Sequence, residues 1–238
     1  MYPFAAAEML DAWEAGRCAS PHHRSLALLE HTSGLAGDAL AALPVGHCDA
    51  LLLGLREQLF GTRMECEIGC PVCSERLEFT LDTAAVRVAP GATEQTAHHV
   101  ELDGVKATFH VPTMADFGAC AELESSDRAA QALLARCIEC VDPAGRRLND
   151  ALVEAIEERI AALDPQANAA MTLTCPQCAH VWIEPFDIGA FLSREIDAWA
   201  QQLLEEIHVL AASYGWSERD ILALSPARRR YYVDRAAG

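Results

Sequence analysis

Hydrophobic positions along the chain recur with a three-to-four period in some stretches and a period of two in others, and the switches divide it into helical and sheet segments. Residues 4–15 are alanine-rich and predict a helix. Ser20-Pro21, a cap followed by proline in the first helical position, predicts a second, carrying Leu26, Leu28 and Leu29 and broken at Gly34 and Gly37. After Leu43-Pro44-Val45-Gly46, residues 47–60 place Leu51, Leu52, Leu55 and Leu59 at helical spacing and stop at Gly61. The period then drops to two. Met64, Cys66 and Ile68 alternate with Glu65 and Glu67, and beyond Cys70-Pro71-Val72-Cys73 so do Leu77, Phe79 and Leu81, which predicts a hairpin with cysteines at its tip.

A second hairpin is expected at Asp103-Gly104, between residues 99–102 and 105–111, with residues 86–88 as a further strand. Thr113 and Asp116 form a capping-box variant that opens a helical stretch to about residue 163, divided at 142–145. Met171 and Leu173, then Cys175-Pro176-Gln177-Cys178, then Val181 and Ile183 repeat the strand, cysteine tip, strand order. From Asp187, the residues Ile188, Phe191, Leu192, Ile196, Trp199, Leu203, Ile207 and Leu210 predict one long helix. Ser217 and Ser225-Pro226 cap two short closing helices. The expected fold is α+β: a small antiparallel β region with a discontinuous zinc ribbon, flanked by N-terminal, inserted and C-terminal helices. Its regions are 1–61, 62–112 with 170–187, 113–169, and 188–238.

Composition narrows the function classes. The 238 residues are 51% hydrophobic and 22% charged, as in folded soluble proteins, and the formal charge of −17 opposes binding to a nucleic-acid backbone or an anionic membrane surface. No apolar run approaches the roughly 20 residues of a membrane span. Residues 1–17 carry Glu8, Asp11 and Glu14 and lack the pattern of a secretory leader. Ten cysteines in such a chain point to metal ligands and buried thiols in a reducing compartment, so a cytoplasmic location is expected.

Zinc takes four ligands in a tetrahedron, and a Cys-x-x-Cys turn offers two thiolates to one ion. Cys70, Cys73, Cys175 and Cys178 supply two such turns at two hairpin tips, roughly a hundred residues apart. The competing reading is a redox dithiol, in which the first cysteine sits at a helix N-terminus, whereas here a strand follows each pair. Cys137 and Cys140 fall on a predicted helix and read as small buried thiols beside Leu133 and Leu134. Cys18, Cys48 and Cys120 are expected to be buried too. Cys66 and His180 lie near the proposed ligands, but four thiolates already fill the tetrahedron.

Neither a phosphate-binding loop, a nucleophile elbow nor a metalloprotease motif occurs, and no acid, base and nucleophile set stands out, so an enzyme and a small-molecule substrate are not expected. His22-His23 and His98-His99 read as exposed pairs, and Glu154, Glu157 and Glu158 as a solvated helix face. The final quarter concentrates Tyr214, Trp216, Tyr231 and Tyr232 with Arg219, Arg228, Arg229 and Arg230. Tyr, Trp and Arg anchor interfaces, so Tyr214, Trp216, Arg228, Arg229, Arg230 and Tyr231 form a candidate partner-binding set, against ordinary packing on the long helix.

The run from Leu51 to Gly61, Cys70-Pro71-Val72-Cys73 with Leu77-Glu78-Phe79, Val111-Pro112-Thr113 with Asp116, Thr174-Cys175-Pro176-Gln177-Cys178, and Tyr214-Gly215-Trp216-Ser217 with Ile221-Leu222-Ala223-Leu224-Ser225-Pro226 together resemble baseplate-associated proteins of contractile phage tails and related injection systems. The resemblance spans most of residues 40–232, and its closing pattern is also similar to tail assembly chaperones. It implies a baseplate hub component or hub assembly chaperone, structural zinc on the four cysteines, and other baseplate or hub proteins as partners. Two other classes stay open from the residues: a zinc-ribbon adaptor in nucleic-acid transactions and a thiol redox protein.

Overall fold

In the computed structural model, which describes residues 6–17, 21–88, 97–121, 123, 125–144 and 148–236, the leucine-rich N-terminal third is helical. It forms α1 (Ala6–Gly16), α2 (Pro21–Ser33), α3 (Gly37–Ala41) and α4 (Val45–Phe60), the last ended by Gly61 at φ 84°, a conformation glycine adopts without steric cost. β1 (Arg63–Gly69) and β2 (Arg76–Asp82) pair antiparallel with Cys66 opposite Phe79, so Met64, Cys66 and Ile68 share a face with Leu77, Phe79 and Leu81. β3 (His98–Leu102) and β4 (Val105–Phe109) are joined by Asp103 and Gly104, both at positive φ, as a tight hairpin turn requires.

α5 (Met114–Cys120) opens with the predicted capping box: the Asp116 amide donates to Thr113 Oγ1 at 3.1 Å, and the Thr113 amide to Asp116 Oδ2 at 3.2 Å. Then follow α6 (Ser126–Cys137), β5 (Ile138–Asp142), α7 (Asp150–Leu163), β6 (Ala170–Thr174) and β7 (Val181–Pro185), the last two an antiparallel pair. Asp187 caps α8 (Ile188–Tyr214), and α9 (Glu218–Leu222) and α10 (Pro226–Ala236) close the chain behind Ser217 and Ser225.

Helices and small antiparallel sheets thus make up a mixed α+β fold. The sheets are β1–β2, β3–β4–β5 and β6–β7. The main core lies where the buried stripe of α8, including Leu192, Ile196, Leu203 and Leu210, meets Trp13, Leu29, Leu52 and Leu53 of α1, α2 and α4. A second core is separate: Val105, Ala107 and Phe109 of β4 pack on Leu152 and Ile156 of α7.

Three expectations are corrected. Cys137 and Cys140 do not share a helix: α6 ends at Cys137, which is buried, and Cys140 is exposed on β5. β-Branched Ile138 and Val141 can pair there with the open edge of β4, which a helix would leave unsatisfied. Residues 86–88 form no strand. The buried Gln166 side chain takes the place of a neighbouring strand, accepting from the Val88 amide at 2.8 Å and donating to the Val86 carbonyl at 3.2 Å. His22 is buried, not exposed, because α5 presents Gly118, which leaves room for the ring, and Phe117 lies 5.7 Å away between ring centroids. Cys48 and Cys120 are buried as expected, Glu154, Glu157 and Glu158 are exposed, and Cys18 lies outside the described residues.

The first turn of α4 rests on the segment after α7, where the Gly46 amide donates to Asp164 Oδ2 at 2.7 Å. A Cβ at position 46 would collide with Asp164 Oδ1 and stand 2.6 Å from the backbone nitrogen of Ala167. Gly46→Ala is therefore expected to cost about 2 kcal/mol in urea unfolding, while Gly54→Ala in the same helix, with open space at its Cβ, is neutral or better.

Asp49, also on α4, is raised to about 7 by burial first and then by the nearby charges of Asp187 and Asp164. A carboxyl whose folded pKa exceeds its unfolded one stabilises the fold while protonated, and that stability is lost as pH rises from about 4 through about 7. Asp49→Asn removes the loss. Its melting temperature should exceed the parent's by more at pH 8 than at pH 4, and an equal difference at both would refute the assignment.

Candidate metal centre

Each Cys-Pro-x-Cys tip folds by the same backbone bonds. The Cys70 amide donates to the Glu75 carbonyl at 2.8 Å and the Ser74 amide to the Cys70 carbonyl at 2.9 Å; at the other tip Cys175 pairs with His180 at 2.9 Å and Ala179 with Cys175 at 3.0 Å. Ser74 and Ala179, directly after the second cysteine, both adopt positive φ, 61° and 59°. The hairpins are therefore two copies of one knuckle. In each, the first cysteine is buried, Cys70 3% and Cys175 1% exposed, and the second, Cys73 or Cys178, lies on the outside.

The two tips meet. Cys70 Sγ lies 3.7 Å from Cys178 Sγ and Cys73 Sγ 3.5 Å from Cys175 Sγ, and all four sulfurs fall within 4.8 Å of one another. A tetrahedral ion with metal–sulfur bonds of about 2.3 Å needs sulfur separations of about 3.8 Å, so the four donors could hold a metal ion without rearrangement. Electrostatics favours one. Burial opposes ionisation of Cys70, yet the amides of Cys73 and Val72 hold its thiol down at about 7. At Cys73 the Glu75 amide favours the thiolate, but burial and the surrounding sulfurs push it up to about 12. At Cys178 the His180 amide and Cys73 favour the thiolate, but burial and the sulfurs of Cys175 and Cys70 raise it. A cation among the sulfurs would favour the thiolate at Cys73 and Cys178, which their surroundings oppose.

The first knuckle is seated by Arg56 of α4, 2% exposed, which donates to Glu195 of α8 through Nε at 2.9 Å and Nη2 at 2.7 Å. The same guanidinium caps the carbonyls of Gly61 and Arg63 at 2.5 and 2.6 Å, fixing the entry into β1. Cys66 is half-buried on the face of β1 that packs toward α8, and His180 stacks on Trp182 at 5.9 Å; neither belongs to the four-sulfur cluster.

A second group, His110, Asp116 and Cys137, also gathers within 4.8 Å. Its carboxylate is already occupied: Asp116 accepts from Thr113 Oγ1 at 2.6 Å and Arg136 Nε at 3.1 Å, with His110 Nε2 3.1 Å away. Burial alone would raise Asp116, but hydrogen bonds from Thr113 and His110 hold it below its usual range, while burial pushes the Cys137 thiol up to about 12. The capping box was legible in the sequence. The approach of Cys137 was not, because it depends on β5 pairing with β4, where the His110 amide reaches the Cys137 carbonyl at 3.0 Å.

At the C-terminus the aromatics form one cluster: Tyr214 stacks on Trp216 at 4.9 Å, Tyr232 meets Trp216 edge-on at 5.0 Å, and Tyr231 lies 5.5 Å from Tyr232. Tyr214, Arg228, Arg230 and Tyr231 are exposed and Trp216 is half-buried. Arg229 is buried, donating to Glu206 Oε2 at 3.1 Å and the Leu224 carbonyl at 2.8 Å, so it holds α10 to α8 from within.

Among the described residues, no helix is long and apolar enough to cross a membrane. No curated protein and no solved structure matches the chain. The family model described as T4 bacteriophage base plate protein matches residues 26–193, well over half of the chain, from α2 through both knuckles into the start of α8. This family supports a structural or assembly role in a tail baseplate and association with other baseplate proteins: the chain belongs to the T4 bacteriophage base plate protein family.

Proposed function

We propose that the chain is a non-enzymatic assembly factor or structural component of the baseplate of a contractile tail or tail-like injection system, pinned by a structural zinc ion on Cys70, Cys73, Cys175 and Cys178. The observation that carries the reading is that both knuckles, and the meeting of their four sulfurs, lie inside the matched span 26–193. A four-thiolate site leaves no position for water or substrate, so the metal contributes folding free energy and no chemistry. A redox role is disfavoured because neither first cysteine stands at a helix N-terminus; each tip leads into a strand.

The exposed Tyr214, Arg228, Arg230 and Tyr231, with Trp216 beside them, serve as a contact with another baseplate or hub protein, and Arg229 positions that end. The protein acts by protein contacts, without nucleic acid, membrane or small-molecule substrate, and is cytoplasmic until it joins or serves a particle. Mass spectrometry of purified particles, with and without this protein in the producing strain, tests the reading. A defined copy number identifies a component. Absence from the particle combined with failed assembly identifies a chaperone, and normal particles without the protein reject both. Metal analysis should find one zinc per chain; four free thiols and no metal would remove the zinc assignment.

A further inference from the structure

Two sulfur contacts run between the knuckles, Cys73 to Cys175 at 3.5 Å and Cys70 to Cys178 at 3.7 Å, and each joins the exposed cysteine of one tip to the buried cysteine of the other. A tetrahedral ion is indifferent to that pattern, since it takes any four thiolates at equal distance. Disulfide chemistry is not: it needs one sulfur that an oxidant can reach and a second sulfur close behind it. The tips are also free to approach each other. β1 pairs with β2 and β6 with β7, and among the described residues no backbone hydrogen bond crosses from one hairpin to the other. Within a tip the backbone is already committed. The Ser74 amide donates to the Cys70 carbonyl at 2.9 Å and the Ala179 amide to the Cys175 carbonyl at 3.0 Å, so drawing Cys70 onto Cys73, or Cys175 onto Cys178, deforms a hydrogen-bonded turn.

The sulfurs of a disulfide stand about 2 Å apart, so each cross-knuckle contact has about 1.5 Å to close. We propose that on exposure to a peroxide the metal pin is replaced by a covalent one, the disulfides Cys73–Cys175 and Cys70–Cys178. Peroxide oxidises the exposed sulfur of each pair, Cys73 or Cys178, to a sulfenic acid and is itself reduced to water; the buried sulfur, Cys175 or Cys70, then attacks that sulfur and expels its hydroxyl, with a proton, as a second water. Each bond takes two electrons from its sulfur pair and reduces one peroxide. For the zinc-loaded site, two peroxides and four protons leave two disulfides, four waters and the free ion. The bonds join positions 102 and 108 residues apart, and cross-links that close long loops are the ones that most restrict an unfolded chain. A particle assembled in a reducing cell and released into an oxidising medium thus keeps its knuckles joined after the metal is lost. That consequence rests on the baseplate reading above, whereas the cross-link itself rests on the sulfur geometry.

The test uses the purified full chain, reduced, supplied with zinc, treated with hydrogen peroxide, alkylated and digested without reduction. Mass spectrometry should find peptides joined through Cys73–Cys175 and through Cys70–Cys178. Zinc should appear in solution as the thiols are lost, and the melting temperature of the oxidised protein should no longer fall when a chelator is added. Disulfides within the turns, Cys70–Cys73 and Cys175–Cys178, the pairing Cys70–Cys175 with Cys73–Cys178, or sulfinic acids in place of disulfides overturn the proposal. Cys73→Ser gives an independent check that does not need a metal site: peroxide should still join Cys70 to Cys178 and leave Cys175 a thiol, and a Cys175–Cys178 bond in that variant overturns the cross-knuckle pairing. If the parent protein takes up no zinc yet forms both cross-knuckle bonds, the zinc reading fails and the covalent pin stands. If it takes up zinc and oxidises within its turns, only the covalent pin fails.

Discussion

Cys70→Ser or Cys175→Ser is expected to release the metal and destabilise the two knuckle hairpins by several kcal/mol, because the binding energy of a closed thiolate site is folding energy for the segments it joins. Both residues are the buried members of their pairs, so the substitution also leaves a hydroxyl among sulfurs where water has little access. An isolated two-stranded hairpin is marginal in water, and β1–β2 and β6–β7 are each two-stranded. The loss should therefore be local. Hydrogen exchange at residues 63–82 and 170–185 should accelerate while the amides of α4 and α8 keep their protection, and a strong chelator should reproduce the pattern in the parent protein. Unchanged exchange and melting in both variants would refute the zinc pin.

Arg56→Met is expected to be nearly as costly, at about 3 kcal/mol or more. Removing one member of a buried, hydrogen-bonded ion pair strands its partner, here Glu195, and also deprives the Gly61 and Arg63 carbonyls of their donor. Arg56→Lys should recover little, since one ammonium cannot reproduce a planar fork that serves a carboxylate and two carbonyls. Because these bonds tie the end of α4 and the entry of β1 to α8, the variant should also loosen the approach of the first knuckle to the second. Zinc affinity and urea midpoint measured on the same samples would show it; parental values for both would mean that the guanidinium is not the seat of the hairpin.

The knuckles and the long helix were legible for a local reason. Cys-Pro-x-Cys between strands of period two encodes a turn whose bonds run between residues four and five apart, and α8 carries its apolar stripe over 27 residues. The places where sequence reading went astray are those where a distant partner decided. Residues 138–142 became a strand because β4 offered an open edge, and residues 86–88 stayed out of a sheet because Gln166, 78 residues from Val88, satisfied their backbone groups. Cysteine spacing alone identified four potential ligands. It could not show that the buried member of each pair sits opposite the exposed member of the other, with sulfurs 3.5 and 3.7 Å apart.

By itself the sequence determined the period of each segment, the caps, the hairpin turns and the chemistry of the four thiols, all of which depend on neighbours within a few residues. Only the tertiary structure decided that Arg56 would be buried against Glu195 and that Arg229 would hold α10 to α8 from within. Burial and charge pairing are properties of groups brought together from positions far apart in the chain, and no local pattern encodes which of them will meet.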